Sequence, residues 1–197
     1  MKEEYQKQFD MEYMELAHYL QEKYGKCAGN YFLTESCKST NSAIKRGKTD
    51  GLFIHHIAEY HPDYPEACSL AGAEEALKVP FEFQTPDWLC YANYLEHVIL
   101  HYHIHRLRVN SYNIEKLDDG IVHFMFPELR LWYITKGKMV KGKWNEKVFE
   151  VVKDDEDTFI ELYNMFYKEF PDAPKYSYGE YRKVQESHKL QRIKTDK

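Results

Sequence analysis

The spacing of apolar residues at the start of the chain predicts an amphipathic helix. Between residues 3 and 24 the large apolar side chains recur at intervals of three or four positions: Phe9, Tyr13, Leu16, Leu20 and Tyr24. This period places them on one face of a helix. Glycines at positions 25 and 29 favour the end of that helix. The polar stretch over residues 30–50 then predicts a loop that closes in a turn.

The centre of the chain predicts two short strands followed by a long helix. Residues 52–57 form a short run of strand type that contains two adjacent histidines, and residues 88–92 form a second run. The sequence predicts the long helix over residues 94–108. Prolines at positions 62, 65, 80 and 86 interrupt the segment between the strands, which predicts a long loop with one short helix over residues 71–78. A loop of this length in a compact domain is usually functional or an insertion.

Beyond residue 110 the apolar runs become shorter, and they predict strands over residues 121–126, 130–135 and 147–152. A helix with apolar residues between positions 159 and 170 follows and stops before Pro171. The fold class expected from the whole pattern is α+β. Residues 1–110 would form an N-terminal helix and a core, and residues 111–197 a C-terminal α+β extension, a candidate small subdomain with a polar tail.

Composition narrows the class of protein. A chain of 197 residues can bury a sizeable core, and an aromatic content of 16% argues against disorder over most of its length. No apolar stretch approaches the roughly 20 residues that span a bilayer, and the N-terminus carries no apolar core of the signal-peptide kind. We therefore expect a cytoplasmic protein with no membrane partner. The four cysteines show no C-x-x-C spacing and are expected to be reduced thiols.

The distribution of charge matters more than the net value of −5. A basic run leads directly into the histidine-bearing strand, and a second run over residues 136–147 and a third in the tail carry further lysines. The first run contains Lys38, Lys45, Arg46 and Lys48. Local basic patches on an acidic protein suit contacts with phosphates. We expect Lys45, Arg46 and Lys48 to contact nucleic acid, although a solvated face without a partner would show the same pattern.

Four histidines carry the candidate chemistry. His55 and His56 are adjacent in the first predicted strand, while His97 and His101 lie at i and i+4 on the predicted helix and therefore point the same way. Imidazole is the commonest side-chain ligand for divalent transition metals. One histidine from the strand and two from the helix would give three nitrogen ligands with an open position, an arrangement typical of catalytic sites. The remaining strand histidine would be free to act as a base.

These residues resemble the HNH, or ββα-metal, endonuclease family over about residues 48–108. In that family a strand delivers a metal-binding residue followed directly by the catalytic histidine, a second strand follows, and a helix supplies the remaining ligands. The resemblance implies that His55 is a metal ligand, that His56 is the general base, and that His97 and His101 are the helical ligands. His103 and His105, just beyond, are expected at the surface or near DNA.

One position departs from the family pattern. The asparagine that gives the family its middle letter would fall at Trp88, and Asp87 could take its place after a shift of one residue. Asn93 and Glu96 have the spacing of a capping box, in which the N-cap and N3 side chains satisfy donors at the start of a helix. We therefore expect Asn93 and Glu96 to support the helix that carries His97.

The residues and the resemblance together lead us to expect a metal-dependent endonuclease that hydrolyses phosphodiester bonds, most readily in double-stranded DNA. One divalent ion would be bound, and three nitrogen ligands favour zinc, nickel or manganese over magnesium. Two alternatives stay open. A catalytically impaired HNH scaffold could bind DNA or a protein partner, and a ribonuclease could use the same site. The oligomeric state is left open.

Overall fold

The computed structural model describes residues 1–61, 63, 73–111 and 120–176. Within these residues the chain forms two strands, β1 (Phe53–His56) and β2 (Leu89–Ala92), and the following helices: α1 (Glu3–Phe9), α2 (Tyr13–Tyr24), α3 (Gly47–Asp50), α4 (Ala73–Ala76), α5 (Tyr94–Ser111), α6 (Phe126–Ile134), α7 (Lys143–Val152) and α8 (Glu156–Glu169). The prediction of an α+β chain is confirmed. The basic run of the tail lies outside the described residues.

The two strands pair antiparallel, and α5 follows β2 almost immediately. Phe53 pairs with Ala92 at one end, and His56 pairs with Leu89 at the other. Short 3₁₀ turns flank the sheet at Ile57–Tyr60, Phe81–Gln84 and Pro86–Trp88. The order of strand, strand and helix agrees with the order predicted over residues 48–108. It brings the end of β1 next to the first turns of α5.

Helix α5 forms the centre of the core. Its apolar side chains are buried on all sides: Leu95, Val98, Ile99, Leu100, Tyr102 and Ile104. A helix whose buried side chains lie on all sides requires partners on every face. Helices α1, α2, α7 and α8 supply those partners together with the two strands. The histidines of α5 are therefore held in a rigid, packed part of the protein rather than on a loop.

The N-terminal segment forms two helices where the apolar spacing predicts one. Helix α1 ends at Phe9, and α2 begins at Tyr13. Asp10 lies at the break as the C-cap residue of α1, and it accepts a hydrogen bond from the Gln6 side chain one turn earlier. Both helices pack against α5. The apolar period therefore identifies the buried face correctly, whereas the predicted continuity of the helix is wrong.

The three strands predicted beyond residue 110 are wrong, because the described residues there are helical. Ile121–Met125 forms a π-helical turn that continues into α6, and the third predicted strand lies within α7. The aromatic and β-branched residues that suggest strands are buried at helical spacing instead. Leu129 and Tyr133 face the core from α6, as Val148 and Val152 do from α7. Tertiary packing thus decides against local β propensity.

Two further expectations can be compared with the described residues. None of the described helices combines the length and the apolar character that crossing a membrane requires. Cys27, Cys37 and Cys90 are buried free thiols, and Cys68 lies outside the described residues. The short helix predicted over residues 71–78 is described in part, as α4.

Candidate metal centre

Strand β1 presents its two histidines to opposite sides of the sheet. Successive residues of a strand point to opposite faces, and the hydrogen bonds of His55 and His56 go to separate parts of the protein. His55 contacts Tyr13 of α2, while His56 contacts Gln84 of the 3₁₀ turn Phe81–Gln84. Both side chains are buried, with about 1% of each residue exposed. The adjacent histidines therefore lie in two different environments.

The first turn of α5 is fixed by reciprocal hydrogen bonds. The Asn93 side chain accepts from the backbone N–H of Glu96 at 3.0 Å, and the Glu96 carboxylate accepts from the backbone N–H of Asn93 at 2.8 Å. This is the geometry of a capping box. The buried Glu96 carboxylate also accepts from Gln8, Lys23 and Tyr24. Because His97 follows Glu96 directly, this network positions the histidines of α5.

His55, His97 and His101 meet between β1 and α5, and we call them the three-histidine cluster. One ring nitrogen from each lies within 4.8 Å of the corresponding nitrogen of the other two. The Nε2 atoms of His97 and His101 are 3.2 Å apart, a separation that their i, i+4 positions on one helix face allow. The ring of His55 lies 5.3 Å from each of the other two rings, measured between centroids.

A tyrosine determines which nitrogen of His55 faces the cluster. The Tyr13 hydroxyl donates its single proton to the backbone carbonyl of Ile57 at 2.8 Å. Its oxygen lies 2.8 Å from His55 Nε2 and must therefore accept a hydrogen bond from that nitrogen. Nε2 then carries the proton and Nδ1 carries the lone pair. Nδ1 is buried and has no hydrogen-bond partner in the described structure, which makes it the ligand atom of this tautomer.

The chemical state of His55 also fits a metal ligand. Burial, together with the nearby His97 and His101, lowers the pKa of His55 well below its usual value. The side chain is therefore a neutral imidazole, the form that binds metals. A buried nitrogen lone pair without a donor is costly, and a cation between the three rings would satisfy it. The residues present thus fit one divalent ion, held by Nδ1 of His55 and Nε2 of His97 and His101.

An acidic side chain that the sequence does not single out lies next to this cluster. Glu59 belongs to the 3₁₀ turn Ile57–Tyr60 that directly follows β1. Its Oε2 atom lies 3.7 Å from His101 Nε2 and 4.0 Å from His55 Nδ1. The sequence predicts a loop over residues 58–86, so nothing indicates that the chain turns back here. The spacing of four residues between His55 and Glu59 is the only sequence signal.

His56 lies outside the three-histidine cluster. Its Nε2 atom forms a 2.9 Å hydrogen bond with Gln84 Oε1, and its ring packs against Tyr31 with centroids 4.5 Å apart. Burial lowers the pKa of His56 to about 4. A neutral imidazole at physiological pH can accept a proton, but a pKa this low makes it a weak base.

Two of the three cations predicted to contact nucleic acid are engaged within the protein. Lys45 donates to the Thr40 hydroxyl at 2.7 Å. Arg46 pairs with Asp50, donates to the backbone carbonyl of Tyr24 at 2.8 Å and lies over the Tyr91 ring. These contacts attach α3 to the sheet and to α2. Lys48 is exposed.

Asp87, His103 and His105, the other residues considered in the sequence of the central region, lie outside the three-histidine cluster. Asp87 is exposed and pairs with Lys26 at 2.6 Å. The expectation that His103 and His105 lie near the surface is wrong, because both are buried in the core. His103 lies next to the Phe9 ring, and burial lowers its pKa to about 4. His105 packs against Phe170 with centroids 4.4 Å apart.

Aromatic side chains connect the cluster to a basic surface. The Phe53 ring stacks on His97 at 5.2 Å and lies 6.1 Å from Trp144 of α7, measured between centroids. Trp144 packs on the backbone of α3 at Gly47, where a Cβ atom would approach the indole to 2.4 Å. A side chain at position 47 would therefore separate α3 from α7. Each of these two packed helices carries an exposed lysine, Lys48 on α3 and Lys143 on α7.

Comparison with known proteins gives no assignment. No family model, curated protein or solved structure matches the chain significantly. The function proposed below therefore depends on the site itself and on the resemblance described above.

Proposed function

We propose that this protein is a metal-dependent endonuclease that hydrolyses phosphodiester bonds in DNA. The observation that carries the proposal is the three-histidine cluster, formed by one side chain from β1 and two from the first turns of α5. The order of β1, β2 and α5 agrees with the ββα-metal arrangement that the sequence resembles. Three nitrogen donors and a buried surrounding favour zinc among the candidate ions, which also include nickel, manganese and magnesium.

In this proposal the chain holds the ion and prepares its ligands. A bound divalent ion would act as a Lewis acid on a phosphodiester oxygen and stabilise the negative charge that develops in the transition state. Tyr13 keeps the Nδ1 lone pair of His55 directed at the cluster. Glu96 and Asn93 hold the first turn of α5, so that His97 and His101 keep their separation. Such outer contacts orient metal ligands and typically affect affinity about 10–100-fold.

The proton acceptor in this proposal is His56, as the family resemblance implies. Its neutral state is compatible with that role, whereas its burial and its bond to Gln84 restrict its access to a water molecule near the cluster. A structural role would also explain the position of His56, because its hydrogen bond to Gln84 attaches β1 to the 3₁₀ turn Phe81–Gln84. The two roles predict different effects of replacing His56. Loss of a base lowers the rate of turnover alone, whereas loss of a structural residue lowers the stability of the fold as well.

The proposed contact with DNA involves the surface formed by α3 and α7. Lys48 and Lys143 are exposed, and neither forms a salt bridge within the described residues. Asp50 of α3 and Glu146 and Glu150 of α7 are exposed acids on the same two helices, so the charge of this surface is mixed. Trp144 and Phe53 link it to His97. Phosphates bound here would lie near the cluster, and such contacts position a duplex without reading its sequence.

A second candidate function is a binding protein whose metal has a structural role. The observation that favours it is the burial of two of the three cluster residues, since His55 is about 1% exposed and His101 about 8% exposed, whereas His97 is half-buried. A phosphodiester needs access to a catalytic ion, whereas a structural ion does not. The partner would be DNA or a protein. A ribonuclease with the same cluster is the third candidate, and it differs only in its substrate.

Incubation of supercoiled plasmid with the metal-free protein and a panel of divalent ions tests this proposal. Nicked or linear products that depend on an added ion would support an endonuclease, and the His56→Ala variant should lose about 10²–10⁴-fold in rate if His56 is the base. Metal binding without cleavage of any DNA would favour the binding protein. Cleavage of RNA alone, in a parallel reaction with a structured RNA, would favour the ribonuclease.

A further inference from the structure

Glu59 brings a carboxylate to the edge of the three-histidine cluster. Its side chain reaches the cluster from the 3₁₀ turn after β1, and only about 7% of the residue is exposed. Its Oε2 atom lies within 4.0 Å of two ring nitrogens assigned above as ligands, His55 Nδ1 and His101 Nε2. The two nitrogens that would bind the ion therefore face the same carboxylate oxygen.

We propose that Glu59 is the fourth ligand of the metal centre and supplies an oxygen donor through Oε2. This inference rests on the metal centre of the proposed function and does not require catalysis. In a tetrahedral zinc site with ligand distances of about 2.0–2.2 Å, neighbouring ligand atoms are separated by roughly 3.3 Å. The distances of 3.7 Å and 4.0 Å from Glu59 Oε2 are slightly longer than this.

A small movement of the Glu59 side chain completes the set. The three histidine nitrogens lie mutually within 4.8 Å, and the carboxylate is not part of that mutual set. Glutamate has three side-chain torsions, so its carboxylate can move toward the centre while the backbone stays fixed. The backbone carbonyl of Glu59 accepts a hydrogen bond from Arg108 of α5 at 3.2 Å. This bond attaches the turn to the same helix that carries His97 and His101.

A fourth protein ligand changes what the site can bind and do. One carboxylate reduces the net charge of a bound divalent ion to +1, which stabilises the ion in a buried site. An oxygen donor also improves the fit of manganese relative to a site with nitrogen donors alone. Four protein ligands close a tetrahedral site. A substrate oxygen must then displace Glu59 or enter as a fifth ligand, so Glu59 regulates access to the ion.

Titration of cobalt into the metal-free protein tests the assignment, because four-coordinate cobalt absorbs visible light far more strongly than six-coordinate cobalt. The wild-type protein should give the strong spectrum. The Glu59→Gln variant should bind cobalt at least about tenfold more weakly, a loss in the range found for changes around metal ligands, with an altered spectrum. Glu82→Gln, an exposed acid in the same segment of the chain, should behave as the wild type does.

The outcomes of this titration separate the inference from the proposed function. Wild-type affinity and an unchanged spectrum in Glu59→Gln would overturn the role of Glu59 and leave the three-histidine cluster intact. A wild-type protein that binds no cobalt would overturn the metal centre itself. Glu59→Asp provides a second variant should Glu59→Gln fail to fold, since it keeps the charge on a shorter side chain. It is expected to bind cobalt with reduced affinity, and wild-type affinity together with an unchanged spectrum would again count against the ligand.

Discussion

The Tyr13→Phe variant isolates the effect of one hydroxyl group on the metal centre. The hydroxyl accepts a hydrogen bond from His55 Nε2 and donates one to the Ile57 carbonyl. Phenylalanine fills nearly the same space but leaves both buried groups without this partner. Each unsatisfied group costs about 1–3 kcal/mol of folding stability. His55 is also released from the tautomer that directs Nδ1 at the cluster, and zinc affinity should fall about 10–100-fold.

The loss of zinc affinity can be separated from the loss of intrinsic stability. A ligand that binds only the folded state stabilises it by RT ln(1 + [L]/Kd), about 2.7 kcal/mol when free zinc is about 100 times the wild-type Kd. At the same zinc concentration a variant with an about 100-fold weaker Kd gains only about 0.4 kcal/mol. Urea denaturation with and without zinc measures both quantities. The zinc-dependent stabilisation should therefore fall in Tyr13→Phe from about 2.7 kcal/mol to between about 1.4 kcal/mol, for an about 10-fold weaker Kd, and about 0.4 kcal/mol, for an about 100-fold weaker Kd.

The control for this prediction is Tyr60→Phe. The Tyr60 ring packs against Tyr13 with centroids 5.3 Å apart, but its hydroxyl forms no hydrogen bond within the described part of the chain. This variant should keep the full stabilisation by zinc. If Tyr13→Phe gained as much stability from zinc as the wild type, the tautomer argument would be refuted, even if the metal-free variant were destabilised.

Two further predictions concern the base and the DNA surface. Metal content in His56→Ala should stay near one ion per chain, because His56 lies outside the cluster; loss of the metal would place it among the ligands. Replacing Lys48 and Lys143 together by Ala should flatten the dependence of log affinity on log salt by about 0.9 for each phosphate that the protein no longer neutralises. Lys168→Ala, an exposed residue of α8, is the control, and an unchanged slope in the double variant would assign DNA binding elsewhere.

The sequence predicts the part of the site that depends on local spacing. His97 and His101 are four residues apart, so any helix through them presents both on one side. The capping pair Asn93 and Glu96 is predictable for the same reason, and the structure contains both of its hydrogen bonds. These features follow from helix geometry and need no knowledge of the tertiary fold.

Contacts between distant segments cannot be predicted in this way. Tyr13 lies 42 positions before His55, and its role depends on how α2 packs against the sheet. Glu59 reaches the cluster because the chain turns after β1, whereas the sequence suggests only a loop. The strands predicted beyond residue 110 fail for a related reason. Residues such as Val148 and Val152 suit a strand locally, but their burial against the core has the helical period.

Zinc binding by His101→Ala tests the metal centre most directly. His101 contributes a nitrogen that lies close to both His97 and Glu59, and His18 is an exposed histidine of α2 that provides the control. Calorimetric titration of zinc into metal-free protein should give one site per chain in the wild type and in His18→Ala, and strongly reduced affinity in His101→Ala. Equal zinc affinity in all three proteins would contradict the account.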